Sequence, residues 1–268
     1  MEQKTDLKKD LTHYVKKINF IQENIKELQD KSKRKNLRVL DVGCGVGNIS
    51  IEVAKLGCNV LGIDNDEESI KYAKQRENNN CKFRVINAHE LDIKEKFDVI
   101  IASEVLEHLK YPKNLISFVS ENLDKDGFLF LSIPNGFGPS ELSVMPRRIA
   151  GRLLKKIGLF EIARDLRHKI VKDPEQKARA RFGMDTLNTH GEGALHEQFF
   201  TLRSVRRLFN KYNLDIVKRQ NSFIFVGTFP FYYLYGRVRA LQKFDCIAAD
   251  YVPAFLSSGW SFIVEFRS

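Results

Sequence analysis

Leu37-Arg38-Val39-Leu40-Asp41-Val42-Gly43-Cys44-Gly45-Val46-Gly47-Asn48 carries a short apolar run into a glycine-rich turn, and a helical pattern follows at once. The run has the length and composition of a buried strand. Glycine accepts positive φ and lets a ligand approach the backbone, and a helix start offers N–H groups with no partner of their own. A strand, a glycine turn and a helix in succession make a phosphate- or nucleotide-binding corner.

Outward from this corner the chain alternates between strand-like and helix-like patterns. Asn59 to Ile63, Lys82 to Ile86, Phe97 to Ala102 and Phe128 to Ile133 read as further buried strands. Asn48 to Leu56, Glu67 to Glu77 and Asn114 to Leu123 read as helices between them. Repeated β-α-β with apolar strands predicts an α/β fold with a doubly wound, mainly parallel sheet, helices on both faces and ligands beyond the carboxyl ends of the strands. After Asn135 the alternation stops, and it resumes with a helix at Leu202 to Asn210 and strands near Leu214 to Val217, Phe223 to Val226 and Trp260 to Phe266. Upstream, Leu7, Leu11, Tyr14, Ile18, Ile21, Ile25 and Leu28 recur every three or four residues and predict one long helix. Its apolar seam is expected to pack on its own domain rather than on a second helix, because three heptads are marginal alone.

The 268 residues, 43% hydrophobic and 29% charged, exclude a disordered or low-complexity chain. No apolar leader opens the sequence, and the longest nearly uncharged run, Phe223 to Gly236, is interrupted by Gly227 and Pro230. A spanning helix needs roughly 18 apolar residues, so the expected location is cytoplasmic. Cys44, Cys58, Cys81 and Cys246 show neither C-x-x-C spacing nor a metal-ligand pattern and read as reduced thiols. The net charge of +10 is unevenly spread. Residues 39–146 hold 11 basic and 17 acidic side chains, whereas 147–181 hold 12 and 4. An acidic body with one basic segment directs the search for an anionic partner to that segment.

Nicotinamide-binding corners also use a strand, a glycine turn and a helix, but their fingerprint asks for glycine at position 48, which is Asn48 here. Asp41-x-Gly43-x-Gly45-x-Gly47 instead resembles the first motif of the class I S-adenosylmethionine (SAM) dependent methyltransferases, in particular the ubiquinone-biosynthesis O-methyltransferase-like group. The resemblance continues in order through Leu61-Gly62-Ile63-Asp64, Ala88-His89-Glu90, Phe97 to Leu109 and Asp126 to Asn135. It implies a Rossmann-like sheet of seven strands with the last antiparallel, and SAM as cofactor. By that resemblance Asp41, Gly43, Cys44, Gly45, Gly47, Asn65, Ser103 and Glu104 lie against the cofactor, Asp64 meets its ribose, and Ala88 and His89 stand around the adenine.

A methyl on a sulfonium is already a strong electrophile, so the protein must align the acceptor and remove its proton where the acceptor is a hydroxyl. Histidine suits that task, and His108, His190 and His196 are the candidates, with Glu104 beside them. Glu104, Glu107 and His108 stand at i, i+3 and i+4 and share a face if the segment is helical. With His196 they could bind a divalent cation, as similar sets do in ubiquinone-biosynthesis and small-RNA methyltransferases; the alternative is that they shape the pocket.

Pro146 to Phe160 reads as a basic amphipathic helix, with Ile149, Leu153, Ile157 and Phe160 on one face. The basic stretch 146–181 could lie on an anionic membrane, reach a lipid-linked substrate, cover the active site or remain a solvated surface helix. Phe223 to Tyr235 is rich in aromatics for the core or for an apolar acceptor pocket. The expected organisation is a helical extension over 1–36, a SAM-binding core over 37–135, a lid-like insertion over 136–195 and the rest of the sheet over 196–268. The preferred activity is methyl transfer to an oxygen of a small, apolar, lipid-linked or glycan-linked acceptor. RNA 2′-O-methylation and a catalytically silent partner subunit are the alternatives, and the oligomeric state stays open.

Overall fold

The computed structural model describes residues 12–143, 145, 156, 197–225 and 238–267. It forms each of the five strands expected between Leu37 and Ile133: β1 (Arg38–Val42), β2 (Asn59–Asp64), β3 (Cys81–Val85), β4 (Phe97–Ser103) and β5 (Leu123–Pro134). Helix α1 (Thr12–Ser32) precedes them, and α2 (Asn48–Ala54), α3 (Glu67–Lys74) and α4 (Pro112–Asn122) lie between them. α5 (Leu202–Asn210), β6 (Leu214–Asn221), α6 (Arg239–Tyr251) and β7 (Gly259–Phe266) complete the described chain. The sheet order is β3-β2-β1-β4-β5-β7-β6. β7 runs antiparallel to both its neighbours and every other pairing is parallel.

Side-chain alternation along the strands divides the core between the two faces. Leu40, Val42, Ile100, Ala102, Leu129 and Leu131 point to the side covered by α4 and α5. Val39, Val99, Ile101, Phe128 and Phe130 point to the side covered by α1, α2 and α3. Burying one such side chain is worth about 1.5–3 kcal/mol, which makes the register hard to slip. α1 supplies Phe20, Ile21, Ile25 and Leu28 to the second face, so its seam is taken up by its own sheet. Leu7 and Leu11, at the start of that seam, lie outside the described residues.

The expected strand over Phe223 to Val226 is not formed in its described part. The Asp245 carboxylate on α6 accepts the backbone N–H groups of Ile224 and Phe225 at 3.1 Å, so these amides serve a side chain instead of a ladder. The insertion over 146–195, with His190, the neighbouring His196 and the aromatic run over 226–236 lie outside the described residues, apart from Lys156. Among the described residues no helix is long and apolar enough to cross a membrane.

Candidate functional site

The turn after β1 is held open by three glycines in left-handed backbone, Gly43 at φ 68°, Gly45 at 52° and Gly47 at 79°. Their surroundings differ. A Cβ on Gly43 would meet Val105 at 2.4 Å and one on Gly47 the Phe83 ring at 2.4 Å, whereas one on Gly45 would meet nothing within 4 Å. The turn is therefore packed at both ends and open in the middle. Arg76 fixes its far side by donating to the Val46 carbonyl and Asn48 Oδ1 at 3.0 and 2.8 Å.

Asp64, at the end of β2, receives the Gly45 N–H at 2.8 Å and the Asp66 N–H at 3.0 Å, one on each oxygen. Beneath the turn Asp41 is 1% exposed and accepts from Ser50 Oγ at 2.6 Å. Burial, with a smaller push from the Asp64 charge, raises the Asp41 carboxyl to about 7. Asn65 is exposed, and Ala88 and His89 sit in the turn that follows β3, where Ala88 packs against the core and His89 faces solvent.

A second cluster gathers at the carboxyl ends of β4 and β5. Ser103 and Ser132 lie with their hydroxyls 3.0 Å apart, and Ser132 donates to Glu104 Oε1 at 2.7 Å. Lys17 reaches in from α1 and donates to both Ser103 Oγ and Glu104 Oε1 at 3.0 Å. Glu104 takes a left-handed φ of 58°, an uncommon choice for a side chain of its size and a cost that the cluster offsets. Burial works to raise the Glu104 pKa, but the Lys17 ammonium and the Ser132 hydrogen bond outweigh it and hold the group below the usual carboxylate value. Glu107 behaves oppositely. It is 1% exposed, neither oxygen meets a partner at hydrogen-bond geometry, and burial followed by the Glu104 charge drives its pKa well above the usual range.

α1 also brings His13 and Tyr14 to this end of the sheet. The buried His13 ring packs edge-on against Phe223 at 5.5 Å, and its Nδ1 has no partner among the described residues. Burial, reinforced by the Lys17 charge, lowers its pKa to about 4. Burial, with the Glu52 and Asp41 charges, raises that of Tyr14. The periodicity placed Tyr14 in the apolar seam and gave His13 and Lys17 no role; their i, i+4 spacing at the edge of that seam was the one available signal.

The structure thus brings together Asp41, Gly43, Cys44, Gly45, Gly47 and Asp64 at one corner, and Ser103, Glu104, Glu107 and His108 at the next. His108 lies on a 3₁₀ turn, Leu106–His108, with Nε2 3.8 Å from Glu107 Oε1. Of the expected cation ligands Glu104, Glu107, His108 and His196, the last lies outside the described residues. Glu107 is buried, the Lys17 ammonium lies 3.0 Å from Glu104 Oε1, and among the described residues no group of three His, Cys, Asp or Glu side chains is arranged to hold a metal ion.

A family model described as a methyltransferase domain matches residues 11–219. The chain belongs to that family. Among curated relatives, the ubiquinone biosynthesis O-methyltransferase of Pelagibacter ubique is 35% identical over 126 residues, covering 44% of this chain and 52% of that protein. The mitochondrial ubiquinone biosynthesis O-methyltransferase of Bos taurus is 30% identical over 131 residues, covering 44% and 35%. The chain therefore spans about half or less of the length of these relatives. Two solved structures share the fold. Magnesium protoporphyrin IX methyltransferase from Synechocystis PCC 6803, with bound SAH, gives a TM-score of 0.52 at 20% identity, covering 97% of this chain and 86% of that one. PKMT2 from Rickettsia typhi gives 0.55 at 16%, covering 87% and 49%.

SAM is the cofactor that the sequence motif implies for this methyltransferase domain. The residues present fit it. The open middle of the glycine turn lets a ligand touch backbone at Gly45, and each Asp64 oxygen, having accepted one N–H, keeps capacity to accept another.

Proposed function

We propose that the chain transfers the methyl group of SAM to an oxygen of a small, apolar acceptor. The observation that carries the reading is the unobstructed backbone at Gly45 next to the Asp64 carboxylate, in a chain of the methyltransferase family. Oxygen as the receiving atom is supported by the relatives named as O-methyltransferases over the matching segment.

In this reading Asp41, Gly43, Cys44, Gly45 and Gly47 floor the cofactor site. Asp64 accepts from two neighbouring hydroxyls of the sugar, with Asn65 at its margin, and Ala88 and His89 border the base. Ser103 and Glu104 face the reacting end, ordered by Lys17 from α1. Bound there, SAM supplies a carbon electrophile strong enough that alignment and proton removal complete the task. His108 takes the acceptor proton. Its Nε2 lies 3.8 Å from Oε1 of Glu107, whose pKa burial raises. The N-terminal helix α1 completes the site through Lys17.

Incubation with methyl-labelled SAM and separated lipid, glycan, RNA, small-metabolite and protein fractions tests the proposal. Label in the small-metabolite or lipid fraction is expected. Label in RNA alone overturns the acceptor assignment, and SAM binding with no labelled fraction favours a silent partner subunit.

A further inference from the structure

α5 carries its charge on one side and of one sign. Val205 and Phe209 are buried against the sheet, Leu202 and Leu208 pack beside them, and Arg203, Arg206, Arg207 and Lys211 stand exposed on the opposite side, at i, i+3, i+4 and i+8. Between Thr201 and Asn213 there is no acidic residue. Two residues outside the helix extend the patch. Arg219 pairs in register with Phe262, which belongs to the face of the sheet that α5 covers, and Arg267 donates to Asn210 Oδ1 at 2.6 Å at the end of the helix. Asp215 and Glu265, the acidic residues of the same two strands, alternate to the other face.

These charges are unbalanced. Elsewhere Lys16 pairs with Asp250, Lys17 with Glu104, Arg34 with Asp98 and Lys218 with Glu27. Among the described residues none of the six cations on the α5 side has a carboxylate partner. The arrangement also works against the helix itself. Arg203 with Arg206 and Arg207, and Arg207 with Lys211, are like charges at i, i+3 or i, i+4, and Arg203 stands in the first turn, where the helix dipole favours anions. The helix tolerates this because its other side is anchored in the core and its start is closed by the reciprocal Thr201 and Ser204 hydrogen bonds at 3.1 and 2.9 Å. A partner that supplies negative charge along the whole row relieves the repulsion.

We propose that the α5 side docks on the phosphate backbone of double-stranded RNA. Three of the four helix cations are arginines, whose planar forks match phosphate oxygens two at a time. The row from Arg203 to Lys211 runs about 12 Å along the helix axis. No large apolar side chain is exposed from Leu202 to Tyr212, so the face has nothing to insert into a bilayer and no aromatic anchor for a protein partner. The same lack of aromatics removes the stacking on which unpaired strands rely, which leaves a duplex. Duplex DNA admits an element into its wide major groove, whereas duplex RNA is met through phosphates and shape, and α5, held against α4 and β6, suits contact from outside. A second copy of this chain is a poor occupant, because a symmetric contact sets arginine against arginine and an asymmetric one does not close. The docking is independent of the proposed methyl acceptor.

Fluorescence anisotropy of a short labelled RNA duplex of mixed sequence, titrated with the full chain, tests the proposal. With roughly four to six phosphate contacts, the logarithm of the binding constant should fall against log salt with a slope of about −3 to −5. Arg203→Glu/Arg206→Glu/Arg207→Glu is expected to weaken binding about a hundredfold or more and to flatten the slope by about 3, while SAM still binds, which reports an intact fold. Lys26→Glu/Lys71→Glu/Lys74→Glu, at exposed positions of α1 and α3 on the opposite face of the sheet, changes the net charge equally and is expected to keep most of the affinity. Equal loss in the two variants assigns binding to net charge alone and overturns the proposal, as does undiminished binding by the arginine variant or failure of wild type to bind the duplex at low salt. Binding to a DNA duplex of matching sequence as tight as to RNA overturns the choice of RNA. Pelleting with phosphatidylglycerol vesicles that the arginine variant abolishes, without duplex binding, assigns the face to a membrane instead.

Discussion

Gly45→Ala and Gly47→Ala should part company, because one methyl enters a void and the other meets a ring. Both positions have left-handed backbone, so alanine at either costs about 1–2 kcal/mol. At Gly47 the new Cβ would stand 2.4 Å from Phe83, itself 2% exposed and without room to swing away. Overpacking of this kind adds about 1–3 kcal/mol. In a domain of this size each kcal/mol moves the melting temperature by about 2–4 °C, so Gly45→Ala should melt about 2–8 °C lower and Gly47→Ala about 4–20 °C lower. The order reverses for ligand. The alanine methyl at position 45 projects into the space assigned to SAM and should weaken binding about tenfold or more, a change of about 1.4 kcal/mol. Differential scanning calorimetry and titration calorimetry read the two quantities. SAM binding by Gly45→Ala as tight as wild type would refute the assignment of that opening to the cofactor. Equal melting of the two variants would refute the packing argument.

Three further outcomes follow from the charges. Lys17→Met removes the cation that holds the Glu104 pKa down, so the acid limb of the methyl-transfer pH profile should move to higher pH; an unmoved limb argues against coupling. Wild-type Glu104, with its folded pKa lowered, lends stability above its unfolded pKa that is lost as pH falls through the folded one. Asp41 is the reverse case. Raised from 3.8 to about 7, its carboxyl contributes stability that is fully present below its unfolded pKa and drains away as pH climbs to about 7, so Asp41→Asn should flatten the fall in melting temperature over that window. His13, lowered from 6.5 to about 4, resists protonation in the fold, so acidification from 6.5 to 4 destabilises wild type, and His13→Phe should remove that component in melting curves recorded against pH.

The central sheet was readable because its strands are short apolar runs separated by amphipathic helices, and because the glycine turn announces a strand-to-helix corner. Asp64 could be placed because it ends such a run. What escaped was contact between distant parts of the chain. Nothing local marks Lys17 as the partner of Ser103 and Glu104, and Tyr14 fits an apolar seam whether it meets core or carboxylate. The expected cation site relied on Glu104, Glu107 and His108 sharing one helical face. Glu104 instead has a positive φ and precedes the short Leu106–His108 turn, so the three do not lie on one helix. Phe223 to Val226 has the composition of a strand, but Asp245 competes for its amides from a helix that follows in sequence.

β7 is the last strand of the described chain, yet it sits between β5 and β6 rather than at an edge. Its pairing of Leu129 with Val264 spans half the chain. During synthesis the side of β5 that β7 will pair, with Phe130 and Ile133, must wait until Gly259–Phe266 leaves the ribosome, an adhesive margin exposed while the chain between the two strands is made. Refolding should accordingly be slow and prone to clumping at high protein concentration, and a nascent-chain chaperone that shields that margin should raise the yield.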